Sequence, residues 1–242
     1  MASTASRIIF PHDKDTFDKS DEALFLSIRR HVGWVKIGLQ AMTAEGSRGI
    51  TTATTVRKFA RRNGFDVMWD MKLDDIPNTV GNAARNIANL GSKMITLHAS
   101  AGYQSLAAAA KSVRETKRES LLLAVTVLTS IDQRECVSIF GEKPGPKVVK
   151  FARTAIDMGI QGLVCSPKEL RALADAGLLK KLVTVVPGVR PEWASQDDQK
   201  RVMTPVQAMR AGADLLVIGR PISKHKDPAL AARLVWEEIE AA

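Results

Sequence analysis

Eight short, apolar, β-rich runs recur along this chain, at 7–10, 34–39, 66–71, 94–98, 122–128, 162–165, 182–186 and 215–218. Between them, and after the last, lie segments of helical character at 21–32, 52–62, 77–90, 104–118, 147–158, 167–176, 205–211 and 228–241. The runs are nearly continuous in hydrophobic residues, as strands buried on both faces of a parallel sheet must be. No Gly/Ser-rich or Pro-rich linker divides the eight strand–helix alternations. The pattern predicts an α/β fold, a (β/α)8 TIM barrel taking in residues 1–242 as one catalytic domain. A doubly wound parallel sheet is the competing architecture. Three of the helical segments open on a capping side chain followed by proline, at Ser166-Pro167, Thr204-Pro205 and Asp227-Pro228, which fixes where those helices start.

Composition narrows the function classes. A chain of 242 residues, 45% hydrophobic and 25% charged, can bury a large core, and it is neither disordered nor fibrous. Its 2 cysteines, Cys136 and Cys165, have no metal-ligand spacing and read as reduced, packed thiols. His12, His31 and His225 also lack such spacing, so no metal site is expected. The formal charge of +9 points to an anionic partner. Nucleic acid is disfavoured, because aromatics make up only 5% of the chain and no basic stretch is interleaved with stacking residues. Apolar stretches such as 121–125 fall far short of the roughly 20 residues that cross a bilayer, so no membrane partner is expected. The N-terminal 1–7 segment has no apolar core of the secretory type, and a cytoplasmic location is expected. A small phosphorylated molecule is left as the partner.

In a barrel of this kind chemistry collects at the C-terminal ends of the strands. The third run continues as Trp69-Asp70-Met71-Lys72-Leu73-Asp74-Asp75. Side chains two apart share a face, so bulky Trp69 and Met71 facing the helices would put Asp70 and Lys72 in the barrel mouth. Carboxylates on either side of an amine favour its ammonium form. Lys36 is a second cation amid apolar strand residues, and Asp13 is a rim carboxylate after the first run. The seventh and eighth runs end in Gly188-Val189-Arg190 and Gly219-Arg220, where glycine admits close approach and arginine can pair with a phosphate dianion. The polar stretch 191–201 has the length and composition of a lid over that phosphate.

These residues resemble the orotidine 5'-phosphate decarboxylase family. The likeness rests on Asp70-x-Lys72-x-x-Asp75-Ile76-Pro77-Asn78-Thr79, on Val125-Thr126-Val127-Leu128-Thr129-Ser130, on Asp198-Gln199-Lys200-Arg201, and on Gly212-Ala213-Asp214 leading to Gly219-Arg220-Pro221-Ile222. It covers nearly the whole chain. The resemblance implies decarboxylation of orotidine 5'-phosphate to uridine 5'-phosphate in pyrimidine biosynthesis, without a cofactor. It further implies a catalytic network of Lys36, Asp70, Lys72 and Asp75, in a homodimer whose subunits exchange Asp75. Asp13 and Lys36 would meet the ribose and Thr129 the pyrimidine edge. Gln199, Gly219 and Arg220 would meet the phosphate, with Arg190 close by, and Thr79 and Asp70 complete the substrate contacts. The chain departs from the family pattern at two places. Leu73-Asp74 replaces the usual Phe-His pair, which makes Asp74 a rival to Asp75, and Pro11-His12 precedes Asp13 where small apolar residues are usual.

Two other enzyme classes fit parts of the pattern. A related metal-dependent sugar-phosphate decarboxylase or aldolase would share the Asp-x-Lys-x-x-Asp strand, but not the Ile76-Pro77-Asn78-Thr79 continuation or the Thr129 region. A Schiff-base aldolase would need Lys72 as a neutral amine, which flanking carboxylates disfavour.

Overall fold

Backbone pairing runs in sequence order from the first strand to the eighth and then returns to the first, closing a parallel barrel. In this computed structural model residues 7–45, 48–194 and 203–242 are described. The strands are β1 (Ile8–His12), β2 (Trp34–Gly38), β3 (Asp66–Leu73), β4 (Met94–His98), β5 (Leu121–Val125), β6 (Gly162–Val164), β7 (Val183–Pro187) and β8 (Leu215–Val217). The helices are α1 (Lys19–Ile28), α2 (Leu39–Thr43), α3 (Arg48–Arg62), α4 (Pro77–Asn89), α5 (Tyr103–Glu115), α6 (Gln133–Phe140), α7 (Pro144–Asp157), α8 (Leu170–Asp175), α9 (Pro205–Arg210), α10 (Arg220–Ser223) and α11 (Pro228–Glu240). All eight strands fall on the apolar runs, and closure rules out the doubly wound alternative. Among the described residues no helix is long and apolar enough to cross a membrane.

Two of the three proline-opened segments start as α-helices where their caps require, while Ser166 caps a 3-10 turn at Pro167–Glu169 that leads into α8. Ser166 and Thr204 each form a reciprocal capping box, with Glu169 and Gln207, and the Asp227 side chain accepts from the Leu230 amide. The sequence reading passes over α2, α6 and α10. The first and last are about one turn long, too short to set up a periodicity. The α6 segment does carry helix signals, a cap from Asp132 to the Glu135 amide and a left-handed Gly141 at φ 73° after its last turn.

Two apolar layers result. Inside the barrel, Ile9, Met68, Met94, Leu123, Val185 and Leu215 form a plug. Outside it, the alternate residues of the same strands, among them Phe10, Val35, Ile37, Trp69, Ile95 and Leu122, pack against the helices. Trp69 and Met71 belong to the outer layer, so Asp70 and Lys72 face the mouth, as the alternation requires. The plug fills the lower barrel and leaves the upper end to polar side chains.

Leu123 is fully buried in that plug. Leu123→Ala should lower unfolding stability by about 2–5 kcal/mol, read as a fall in the urea midpoint with little change in slope.

Candidate active site

Parallel register brings the first charged residues together. Pro11 aligns with Lys36 across β1 and β2, and Gly38 aligns with Asp70 across β2 and β3. Lys36 Nζ lies 2.9 Å from Asp13 Oδ1 and 3.2 Å from Asp70 Oδ2. Lys72 Nζ lies 2.9 Å from the same Asp70 Oδ2. Four side chains, one just after β1 and the others on β2 and β3, thus form a chain of alternating charge, Asp13–Lys36–Asp70–Lys72. Gly38 makes room for it, since a Cβ there would sit 3.0 Å from both Asp13 Oδ1 and Lys36 Nζ.

Burial alone would raise the Asp70 carboxyl, but Lys36 and Lys72 beside it hold it below the usual carboxylate range. Burial alone would lower the Lys36 ammonium, but Asp70 and then Asp13 raise it above the ordinary lysine value. Both groups are therefore charged at neutral pH. Among the described residues no cluster of His, Cys, Asp and Glu could hold a metal ion.

Two adjoining cavities open from this network. One, of about 200 Å³, is lined by Lys36, Asp70, Lys72 and Thr129 and by apolar side chains that include Val125, Val127 and Val164. The other, of about 280 Å³, is lined by Asp13, Lys36, Gly188, Arg190, Gly219 and Arg220. They share Lys36, Pro187 and Val217, so one elongated ligand can occupy both. Gly188 has φ 78°, a conformation that favours glycine, and lets β7 turn towards the second cavity. A Cβ on Gly219 would meet the Pro11 ring at 2.7 Å. The β1–β8 pairing ends at Ile9–Val217, before Pro11, so the missing proline N–H leaves no gap in that ladder. Asp13 keeps its bond to Lys36 despite the unusual Pro11-His12 pair, because the buried His12 ring is held to the Thr16 carbonyl at 3.1 Å and Lys14 is paired with buried Asp21.

The sequence-predicted residues thus divide into three groups. Asp13, Lys36, Asp70, Lys72, Thr129, Arg190, Gly219 and Arg220 line the joined cavities. Asp75 and Thr79 are exposed and outside both. The Asp75 carbonyl accepts from Ser105 Oγ at 2.8 Å, and its carboxylate accepts from the Ile76 amide at 2.6 Å. Asp74, the rival acid, is also exposed. Gln199 and most of the predicted lid lie outside the described residues. The Cys165 thiol lines the apolar cavity, and burial pushes its pKa far up, which leaves it inert. His98 is lowered chiefly by burial, with Asp74 opposing.

One residue escapes the sequence reading. Thr96, fully buried on β4, accepts from the Lys72 amide at 2.9 Å and donates to Asp70 Oδ1 at 3.0 Å. Its only signal in the sequence is a hydroxyl inside an otherwise apolar run, next to the charged strand.

Comparison with known proteins gives the same chemistry a family. Residues 15–235 match the family described as orotidine 5'-phosphate decarboxylase / HUMPS. A protein of Opitutus terrae named orotidine 5'-phosphate decarboxylase is 44% identical over 211 residues, 87% of this chain and 88% of that one. One of Heliobacterium modesticaldum with the same name is 42% identical, with 96% of this chain and 95% of that one covered. The crystal structure of orotidine 5'-phosphate decarboxylase from Lactobacillus acidophilus superposes with a TM-score of 0.77 at 28% identity, covering 96% of this chain and 98% of that one. The family model takes in most of the chain, and the relatives match nearly end to end. The chain therefore belongs to the orotidine 5'-phosphate decarboxylase / HUMPS family.

Proposed function

We propose that this chain decarboxylates orotidine 5'-phosphate to uridine 5'-phosphate, a step of pyrimidine biosynthesis. The observation that carries the reading is the pair of joined cavities. One end is basic, with Arg190, Arg220 and close-approach glycine, and suits a phosphate dianion. The other is walled by apolar side chains except where Lys36, Asp70, Lys72 and Thr129 stand, and suits a pyrimidine carrying a carboxylate. Lys36 lines both cavities and Asp13, bonded to it, lines the basic one, which suits the pair to the ribose that would join base and phosphate. Thr129 borders the base end.

In the reaction the bond between ring and carboxylate breaks, CO2 leaves, and the electron pair stays on a ring carbon with poor delocalisation. A fixed ammonium beside that carbon is worth far more in a dry cavity than in water. Lys72 supplies it and then gives up a proton to the carbon; water re-protonates the amine. Asp70, held between two lysines, stands beside the departing carboxylate, and their repulsion is relieved as CO2 leaves. The phosphate end, remote from the breaking bond, supplies the binding energy that fixes the base against Lys72. No step uses a metal, and two ammonium groups within 3.2 Å of the same Asp70 oxygen oppose a divalent cation there.

We also propose a homodimer in which Asp75 reaches the neighbouring subunit's cavity. Large apolar residues stand exposed in the segments that follow β2, β3 and β4: Leu39 in α2, Ile50 in α3, Ile76 just before α4 and Tyr103 at the start of α5, at 47%, 68%, 66% and 63%. Asp75 sits beside Ile76 in this band, so a partner covering it would receive the carboxylate.

The direct test is the loss of orotidine 5'-phosphate absorbance, with and without a chelator. Turnover should proceed equally in both; activity abolished by the chelator would move the chain to the metal-dependent sugar-phosphate class. Lys72→Ala should lower kcat by at least about 1,000-fold with an unchanged melting temperature, and near-normal turnover by that variant defeats the assignment. Arg220→Ala should raise KM by about 10–100-fold, the worth of a charge-assisted bond or two, while turnover of the phosphate-free nucleoside changes little. Mixing inactive Lys72→Ala and Asp75→Asn chains should restore part of the activity, and no recovery after proven subunit exchange counts against a shared Asp75.

A further inference from the structure

Lys72 has a backbone conformation that lysine rarely takes. Its φ is 49°, in the left-handed region. The cause is visible in the ladder. Trp69 aligns with Ile95 and Leu73 with Leu97, so four steps along β3 span two along β4. The strand bulges at 70–72, and the Lys72 amide has moved away from the backbone carbonyls that a regular ladder would offer it. The hydroxyl of Thr96, between Ile95 and Leu97, fills that gap. It accepts from the Lys72 amide at 2.9 Å and donates its own hydrogen bond to Asp70 Oδ1 at 3.0 Å. The two oxygens of Asp70 thereby divide their partners: Oδ2 takes Lys36 and Lys72, and Oδ1 takes Thr96.

We propose that Thr96 is a positioning residue, whose hydroxyl fixes the bulge that aims Lys72 and the plane of the Asp70 carboxylate. It touches no part of either cavity itself. A side chain of the same shape without the hydroxyl would leave a buried amide without its acceptor and Asp70 Oδ1 without this donor. The carboxylate could then rotate about its bond, and the left-handed turn would lose the contact that holds it against strain. The groups facing Asp70 are Lys36 on β2, Lys72 on β3 and His98 at the end of β4, with Asp13 acting through Lys36. None of them substitutes for a neutral donor on Oδ1.

The inference rests on the decarboxylase reading for its kinetic consequence only, so two measurements are needed. In the first, Asp70 carboxyl titration is followed by 13C NMR in the full chain. A donor to the ionised form lowers a carboxyl pKa, so Thr96→Val should move the titration to higher pH and Thr96→Ser should leave it in place. An unmoved titration in the valine chain, or an equal shift in the serine chain, overturns the proposal whatever the protein catalyses. In the second, Thr96→Val should lower kcat for orotidine 5'-phosphate by about 100-fold, the order of effect expected from a small misplacement, with KM nearly constant. Thr96→Ser should restore most of it, and equal loss in both chains overturns the proposal. Should the valine chain not fold, Thr96→Ala removes the same hydroxyl and serves in both measurements. A wild-type chain that does not turn over the nucleotide defeats the functional reading, and the NMR titration still decides the role of Thr96.

Discussion

A single, nearly buried carboxylate oxygen shared by two ammonium groups is the constraint around which the upper half of this barrel is arranged. Asp70 Oδ2 lies 3.2 Å from Lys36 Nζ and 2.9 Å from Lys72 Nζ, and the side chains of Asp70 and Lys36 are only 10% and 12% exposed. An unpaired charge at such a place would be strongly destabilising, because water no longer solvates it. Each of the three is tolerated because the others are there. The strands that carry the network must therefore keep their register: a slip of one residue between β2 and β3 would send Asp70 into the outer apolar layer.

The rest of the architecture follows from that demand. The plug of Ile9, Met68, Met94, Leu123, Val185 and Leu215 closes the barrel from below. Charges at the top thus face a cavity with one open side, where Coulomb interactions are weakly screened. Placing a lysine and an aspartate two residues apart on a strand makes them point the same way, but a regular strand would hold them at fixed spacing against β4. The bulge at 70–72, with Lys72 in a left-handed turn, departs from regularity at the residue assigned the chemistry. Strain of this sort persists where neighbours over-determine it, and Thr96 is the neighbour in contact with both ends. At the far side of the cavity the constraint is steric instead: Gly219 sits against the Pro11 ring, so the loop bearing Arg220 is braced by β1.

Much of this was legible in the sequence. The eight apolar runs mark all eight strands, because burial on both faces leaves no room for polar residues in them. Asp70 and Lys72 could be placed on one face by alternation alone, and Arg190 and Arg220 could be placed behind glycine by adjacency. Apart from α6, whose caps were there to be read, what local pattern missed had no local signal of sufficient length. Helices α2 and α10 are too short to show a period, and Thr96 is an ordinary residue until its two partners are known. Asp75 and Thr79 were grouped with the network by motif, yet in this subunit they stand outside the cavities, where the apolar rim around Ile76 sets them apart.

The sequence by itself determined the periodicity, the strand faces, the identity of the charged groups and the family to which they belong, since each of these is written in residue types at short spacing. Only the tertiary structure decided which oxygen of Asp70 each lysine takes, that Lys72 occupies a left-handed turn, that Thr96 bridges its amide to Asp70, and that the two cavities join at Lys36. Those are relations between groups brought together by strand register, 34 positions apart in the case of Lys36 and Asp70. They depend on which backbone groups the ladder leaves unpaired, and that is fixed only once the barrel has closed.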